Sequence, residues 1–516
     1  MRNWVSFSYD RLVHRSVALA LFCLAVAAAA PAQESIRSLV EAAEAPGLRW
    51  PDFSDYRDHV NAFYRARNDM PAWTRGGRPT LQALELTKIF ADAGSRGVNP
   101  EDYSVSAIKP ESEARFDVAM TVSLMRYISD LHIGRINPRR VSFLLDLTHK
   151  YDLPKLTASL IEASDVPKWL ESVEPPYDGY RRLRTALGLY AALARDGDAA
   201  ALPALRSLQP GESWEGVPQL AALLRRLGDF DGTTDGTRYD GSIVDAVKRF
   251  QERHGLEPDG RIGAATLAAL NVPFSQRVRQ IRLSMERWRW LPTEIEGTPI
   301  VVNIPEFRLR AFGADHKLEL DMDVVVGKAY SGQQTPVFAD TMKYVVFRPY
   351  WNVPPSIQQK EMMPKIRKDP GYLSRNGYEM IDGRIRQKPG PNNALGNVKF
   401  IFPNSMNIYL HDTQAKQLFS RTRRDFSHGC IRVARPARLA EWILGDDPKW
   451  TAAAVEQAMT EGPQDAHVKV TRTIPIFIVY ATAVARPDGS VAFFEDLYGH
   501  DDVLEDALAH GYPYPL

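Results

Sequence analysis

From residue 34 to about 208, apolar positions recur at helical steps. Phe116, Met120, Leu124, Tyr127, Ile128 and Leu131 fall three or four residues apart and make one apolar stripe. Leu81, Leu84, Ile89 and Phe90 repeat the pattern, and that helix is predicted to stop near Gly94, ahead of Asn99-Pro100. Leu183, Leu187, Leu189 and Leu193 mark another over 182–195. The charges between these stripes read as solvated faces, and no catalytic constellation is present, so the region is predicted to be an all-helical scaffold. Asp240-Gly241-Ser242-Ile243 then recurs nineteen positions later as Asp259-Gly260-Arg261-Ile262, each ahead of a helix-compatible run. Ile243, Ala246, Val247 and Phe250 give the first run one buried face, which predicts a compact helical unit of about 60 residues, a size that suits a binding module.

From Thr298 onward the period changes. Leu318, Leu320, Met322, Val324 and Val326 alternate with Glu319, Asp321, Asp323 and Val325, which predicts a strand with one buried face. Further strands are expected at 300–312, 344–350, 398–402, 406–411 and 474–484, the last pairing with 490–495 across Pro487-Asp488-Gly489. Short helices are expected from Pro436 to Gly445 and over 451–459. Residues 358–396, rich in Lys, Arg, Pro and Gly, carry no sustained period and are expected to form a lid insertion. The fold class is therefore α+β and multidomain. It comprises a mainly antiparallel, β-sandwich-like catalytic domain with short helices and a lid, an all-α scaffold domain and a small helical binding domain.

Composition narrows the function. The 516 residues are 44% hydrophobic and 25% charged, enough for more than one core. Lys and Arg number 64 against 63 Asp and Glu, and a net charge of +1 argues against nucleic acid as a partner. Ten Trp, 20 Tyr and 21 Phe exclude a disordered chain. Cys23 lies in the apolar run 16–30, which follows Arg2, Arg11 and Arg15 and precedes Ala30-Pro31-Ala32. That run is shorter than the ~20 residues a helix needs to span a bilayer, and the layout is that of a secretory signal peptide. The mature protein is expected to be exported, soluble and not integral to the membrane, with Cys430 as its one thiol.

Ser427-His428-Gly429-Cys430-Ile431-Arg432 follows His411 with fifteen residues between His411 and Ser427. A neighbouring His or a positive field raises the thiolate fraction of a cysteine, and Arg421, Arg423, Arg424, Arg432, Arg435 and Arg438 are expected to supply such a field. Gly429 lets the backbone approach a reacting carbonyl, so amides there could form an oxyanion hole. On strand parity Tyr409 and His411 share the polar face, which makes His411 the expected general base; His428 is expected to shape the pocket. Asp412 could orient His411 through its side chain or its carbonyl. A zinc site on His411, His428 and Cys430 would lack a fourth ligand, so no metal and no cofactor are expected; an inert buried thiol is the other alternative.

These residues are similar to the signature of the L,D-transpeptidase (YkuD) family: a His, about fourteen to seventeen residues, then Ser/Thr-His-Gly-Cys. The resemblance extends to 301–312, Val324-Val325-Val326-Gly327-Lys328, Gln334-Thr335-Pro336-Val337-Phe338, Trp351-Asn352-Val353-Pro354 and Asn393-Ala394-Leu395-Gly396. The unit around Asp259 to Gly263 resembles a peptidoglycan-binding type 1 domain, and the domain order is similar to the large periplasmic members of Gram-negative bacteria. The resemblance implies a cell-wall cross-linking enzyme. Cys430 would attack a donor tetrapeptide stem, release D-alanine and pass the acyl group to a diaminopimelate amine as a 3→3 cross-link. His411 would take the thiol proton, and carbapenems would acylate the same sulfur. Gly429, His428, Ser427 and Arg432 would line the oxyanion pocket, and Tyr409, Trp351 and Asn352 would touch substrate. Arg432 stands where the commonest signature has Asn. Peptidoglycan stem peptides are the implied partner, with cell-wall synthases alongside.

The expected organisation is a signal peptide at 1–32, a scaffold at 33–212, a peptidoglycan-binding domain at 213–273 and a helical linker at 274–297. A catalytic domain at 298–485 and a C-terminal hairpin strand and tail at 486–516 complete it. Two other functions stay open: an inactive wall-binding scaffold, and an L,D-carboxypeptidase or D-amino-acid exchange enzyme using the same site.

Overall fold

A computed structural model describes residues 34–510 apart from 111, 147–150, 235 and 331; the expected signal peptide lies outside the described residues. Its N-terminal half is helical. At the centre lies the helix Glu113–Ile133, and it departs from the one-stripe expectation because both of its faces are buried. Asp117, Arg126 and Asp130 are inside, not on a solvated face. Each is held by hydrogen bonds, as a buried charge requires. The Asp117 carboxylate accepts the amides of Ala72 at 2.9 Å and Trp73 at 2.7 Å, Arg126 donates to the Trp50 and Asp52 carbonyls at 2.7 Å, and Asp130 accepts the Tyr103 hydroxyl.

The repeat at 240–262 forms the helices Ser242–Arg253 and Ala264–Leu270. Gln251 ties them by donating to the Arg261 carbonyl at 2.9 Å and the Thr266 hydroxyl at 3.1 Å. The next helix, Phe274–Arg289, packs along Asp178–Arg195 in the same apolar cluster as this unit. It is therefore a buried wall shared by several elements and not a free linker.

The C-terminal half is built on one curled, mostly antiparallel sheet. Its order is Ala466–Lys469, Tyr344–Phe347, Val398–Ile401, Leu410–His411, Ile431–Val433, Leu318–Gly327, Arg308–Phe312, Ile300–Asn303, Pro475–Val479, Phe338–Thr341. Phe338–Thr341 at one end connects to Tyr344–Phe347, next to the other, through Met342 and Lys343 alone. Two residues span roughly 7 Å, so the sheet has to curl until its ends meet, which makes the two-layered shape out of a single sheet. Val302, Leu309, Met322, Val324, Val326, Val345, Phe347, Phe400, Leu410, Ile431 and Ile476 fill the inside.

Several strand bounds differ from the sequence expectation. Residues 300–312 make two strands, because the chain turns at Phe307, whose φ is +55°. Only Leu410–His411 of 406–411 is strand: Asn407 takes a φ of +56°, and Asn404 holds the loop by bonds to the amide and carbonyl of Ile408. Residues 474–484 also split. Pro475–Val479 stays in the sheet, whereas Ala483–Ala485 pairs with Val491–Phe493 in a hairpin set against the helix Phe274–Arg289, where the Ala483 amide donates to the Ser284 hydroxyl at 3.0 Å. Residues 358–396 are not irregular. They hold the short helices Met363–Lys368 and Tyr372–Arg375 and the strands Tyr378–Ile381 and Arg384–Gln387, over a small core of Val353, Met362 and Ile385. Their apolar residues are too sparse to give a period. Among the described residues no helix is long and apolar enough to cross a membrane.

Candidate active site

Cys430 ends a turn that leads into Ile431–Val433, and the Ile431 amide donates to the Tyr409 carbonyl at 3.1 Å. This bond and the parallel register, Leu410 beside Ile431 and His411 beside Arg432, set Tyr409, His411, Cys430 and Arg432 on one face of the sheet. That face is turned away from the core, which takes Leu410 and Ile431. On the next strand Lys399 stands beside His411, so Lys399, His411 and Arg432 form a row across three strands.

The turn is held from both sides. The Ser427 hydroxyl donates to the Cys430 carbonyl at 2.5 Å and accepts the Gly429 amide at 3.1 Å. The Thr335 hydroxyl donates to the Gly429 carbonyl at 2.7 Å and accepts the Gly327 amide at 2.8 Å, which pins the turn to Leu318–Gly327. Gly429 has a φ of +117°, a conformation that L side chains rarely adopt, so glycine is required for the shape. Because the Gly429 amide is engaged by Ser427, the neighbouring Cys430 amide is the candidate donor to a reacting carbonyl at this turn.

His411 is buried, and its Nδ1 lies 2.5 Å from the Asp412 carbonyl. A carbonyl only accepts, so Nδ1 carries the proton and Nε2 keeps its lone pair. Orientation thus comes from the Asp412 backbone. Its side chain is occupied elsewhere, accepting the Asn397 amide at 2.9 Å and pairing with Lys416 at 2.5 Å. Burial, and then the nearby Arg432 guanidinium, push the His411 pKa down to about 3.

Cys430 is half-buried, and its sulfur lies 3.7 Å from the Asn407 carbonyl. Burial pushes its pKa up, against the Tyr409 amide and hydroxyl and the Arg432 charge, which favour the thiolate. This corrects the expected arginine field. Arg423 pairs with Asp425 at 2.8 Å and Glu495 at 3.1 Å, Arg424 with Asp323 at 3.0 Å, Arg438 with Glu441, and Arg435 donates to the Asp321 carbonyl. Arg421 is exposed. Of the six, Arg432 alone acts on the thiol in this structure. Residues close in sequence alternate sides of a strand, and Leu318–Gly327 takes up two of them, Arg424 through the Asp323 carboxylate and Arg435 through the Asp321 carbonyl.

The resting pair is therefore a neutral thiol and a neutral imidazole. Alkylation of Cys430 by iodoacetamide should keep rising with pH, about tenfold per unit from pH 6 to 9, since the thiolate is the reacting form. A plateau beginning near pH 6, as a preformed thiolate–imidazolium pair would give, would show that the charges are already separated.

Tyr409 is brought to the sulfur. Burial holds its pKa well above the ordinary phenol value, and Cys430 pushes it up further while Trp351 pulls it down. The Tyr409 and His411 rings pack edge to face with centroids 5.7 Å apart. Asn352 is exposed, paired through its backbone with Arg386, and is not gathered with these side chains. His428 is exposed and its Nε2 lies 2.7 Å from Glu361 of the insertion at 358–396, so it joins that insertion to the turn that carries Cys430. Among the described residues no three His, Cys, Asp or Glu side chains gather into a group that could hold a metal ion.

Sequence reasoning did not reach Lys399, Glu361 or the role of Thr335. The parity of 398–402, with Lys399 outward between Val398 and Phe400, carried a signal for the first. Glu361 lies in a segment without period, and nothing local marks it.

Three stretches of the chain match known families. Residues 298–469 match the L,D-transpeptidase catalytic domain (YkuD), residues 58–187 the scaffold domain and residues 214–270 the family described as "Putative peptidoglycan binding domain". A curated protein of Haemophilus influenzae, named "Putative L,D-transpeptidase", is 31% identical over 248 residues, which is 44% of this chain and 49% of that protein. The chain thus spans about half the length of that relative. Solved structures similar to part of the chain include an L,D-transpeptidase from Xylanimonas cellulosilytica (16% identity, 54% of this chain and 99% of that one, TM-score 0.17). Another comes from Stackebrandtia nassauensis (14% identity, 53% and 94%, TM-score 0.24).

Proposed function

The chain carries an L,D-transpeptidase catalytic domain of the YkuD family together with a scaffold domain and a peptidoglycan-binding domain, and from that premise we propose that it forms 3→3 cross-links in peptidoglycan. The observation that carries the reading is the placement of a half-buried thiol and a neutral, backbone-oriented imidazole on one face of adjacent strands.

In this reading the Cys430 sulfur attacks the carbonyl of the bond between the third residue of a tetrapeptide stem and its terminal D-alanine. His411 Nε2 takes the thiol proton as the carbon–sulfur bond forms, so a thiolate need not accumulate beforehand. The Cys430 amide faces the oxyanion, and the Tyr409 hydroxyl stabilises the sulfur as it loses its proton. Collapse breaks the carbon–nitrogen bond, His411 returns the proton to the D-alanine amine, and a thioester remains. A diaminopimelate amine from a second stem attacks next, with His411 again as base. His428 and Glu361 hold the insertion over the site, where it excludes water as the competing acceptor. The reaction takes place in the periplasm after removal of the leader at 1–32, with the module at 213–273 keeping the enzyme on its polymer. The Cys430 sulfur is also the group a carbapenem would acylate, and cell-wall synthases are the expected neighbours.

Incubation with a disaccharide tetrapeptide tests the assignment. D-alanine and a dimer joined between two diaminopimelate residues should appear in equal amounts. D-alanine without dimer would make the protein a carboxypeptidase, exchange of D-alanine for another D-amino acid would make it an exchange enzyme, and neither product would leave a wall-binding scaffold.

A further inference from the structure

Most cations around the site are neutralised within the protein. Arg423, Arg424 and Arg438 have carboxylate partners, and Lys416 has Asp412. Two have no such partner. Arg432 and Lys399 are both half-buried, and among the described residues neither has a carboxylate at ion-pair distance, the Asp465 charge acting on Lys399 only from beyond that range. The Arg432 Nε is buried without a hydrogen-bond partner. These two stand on either side of His411 in the sheet row. Strands lie roughly 4.8 Å apart, so their Cα atoms are about 10 Å from each other, with the imidazole between them. Arg432 follows Cys430 by two residues on the same face, about 7 Å along the chain.

A partly desolvated cation without a counterion is unfavourable unless a ligand supplies one. Two such cations, straddling the base and beside the nucleophile, describe an anionic ligand whose reactive carbonyl is flanked by charge. We propose that Lys399 and Arg432 are specificity-determining residues that clamp two carboxylates of a peptide substrate and so place the carbonyl between them at Cys430. Arg432, nearer the sulfur, takes the free C-terminal carboxylate of the leaving amino acid, one residue beyond the attacked bond. Lys399, across His411, takes a side-chain carboxylate on the acyl half. Its single point charge tolerates more variation there than the bidentate guanidinium does at the leaving group. The clamp rests on the acyl-transfer reading for its substrate, but its electrostatics can be read without that reaction.

Alkylation of Cys430 in the full chain provides the separate readout. Iodoacetate and iodoacetamide attack the same sulfur and differ in charge, so the ratio of their rates cancels changes in thiol reactivity. Relative to the parent, Lys399→Gln and Arg432→Gln should each lower the iodoacetate-to-iodoacetamide ratio, together by about tenfold, while Lys399→Arg and Arg432→Lys hold it. High salt should lower the parent ratio toward that of the double variant. An identical ratio in the parent and both Gln variants overturns the clamp, and Lys399→Gln decides alone if Arg432→Gln fails to fold. With tetrapeptide donors, the parent should prefer the C-terminal acid to its amide through KM. Arg432→Gln should raise KM for the acid about tenfold, change kcat less and lose the preference, and Arg432→Lys should recover it. Equal KM for acid and amide in the parent also overturns the proposal. If no peptide is turned over, the proposed function fails while the alkylation ratios still judge the clamp.

Discussion

Cys430→Ser should release D-alanine from a tetrapeptide donor roughly 10⁴-fold more slowly than the parent, or below detection. The substitution changes one atom on a turn held by hydrogen bonds of Ser427, Thr335 and Gly429 that do not use the sulfur. Packing and the hydrogen bonds of the turn should therefore survive, and a loss of activity would reflect lost nucleophilicity. A hydroxyl in the same place starts from a far higher pKa than a thiol, and a base with a pKa near 3 is too weak to activate it. The check is a time course of D-alanine release from both proteins, with matched thermal melting as the control for folding. Retention of even a tenth of the parent rate would move the nucleophile to another group.

His411→Gln should slow the same release about 10²–10⁴-fold, the usual range for loss of a general base. Glutamine can still donate toward the Asp412 carbonyl but offers no basic nitrogen, so the change separates position from basicity. The pH profile of the parent gives a second measure. With its pKa lowered to about 3, His411 is neutral and able to accept a proton throughout the range from pH 5 to 8. The acylation rate should accordingly fall less than twofold between pH 7 and pH 5. A histidine at its ordinary pKa of about 6.5 would be mostly protonated at pH 5 and would slow the reaction roughly 30-fold. Single-turnover D-alanine release across that range distinguishes the two. A steep loss below pH 6.5 would show that substrate or solvent reaches the imidazole and undoes the effect of burial.

Fold class and the motif that joins His411 to Cys430 were legible in the sequence for different reasons. Strand alternation at Leu318 to Val326 survived almost intact, because a long central strand has one face in the core and the other on a neighbouring layer. The His411 and Ser427-His428-Gly429-Cys430 spacing was legible as a local motif resembling one family, and the matched catalytic domain at 298–469 spans it. The register that sets His411 beside Arg432 was not legible. It depends on a parallel pairing of two very short strands, which leave no periodicity to read.

Electrostatics was the least legible layer. A count of arginines near Cys430 suggested a strong positive field, but the ion pairs of Arg423 with Glu495 and of Arg424 with Asp323 bring in partners 72 and 101 residues away. The same limit hid the buried charges of Glu113–Ile133, whose hydrogen-bond partners lie on other segments. The insertion at 358–396 was legible as an exception to the strand pattern, while its small core of Val353, Met362 and Ile385 was not, since three apolar residues spread over thirty positions form no stripe.

The central claim is that the Cys430 sulfur carries the acyl group. Intact-mass measurement of the full-length protein mixed with a disaccharide tetrapeptide, and quenched in acid before the acceptor step, tests it most directly. The account predicts an adduct with the mass of the donor minus D-alanine, mapped to Cys430 by peptide sequencing and missing from Cys430→Ser. An adduct on another residue, or D-alanine release with no adduct at any time in the first turnover, would contradict it.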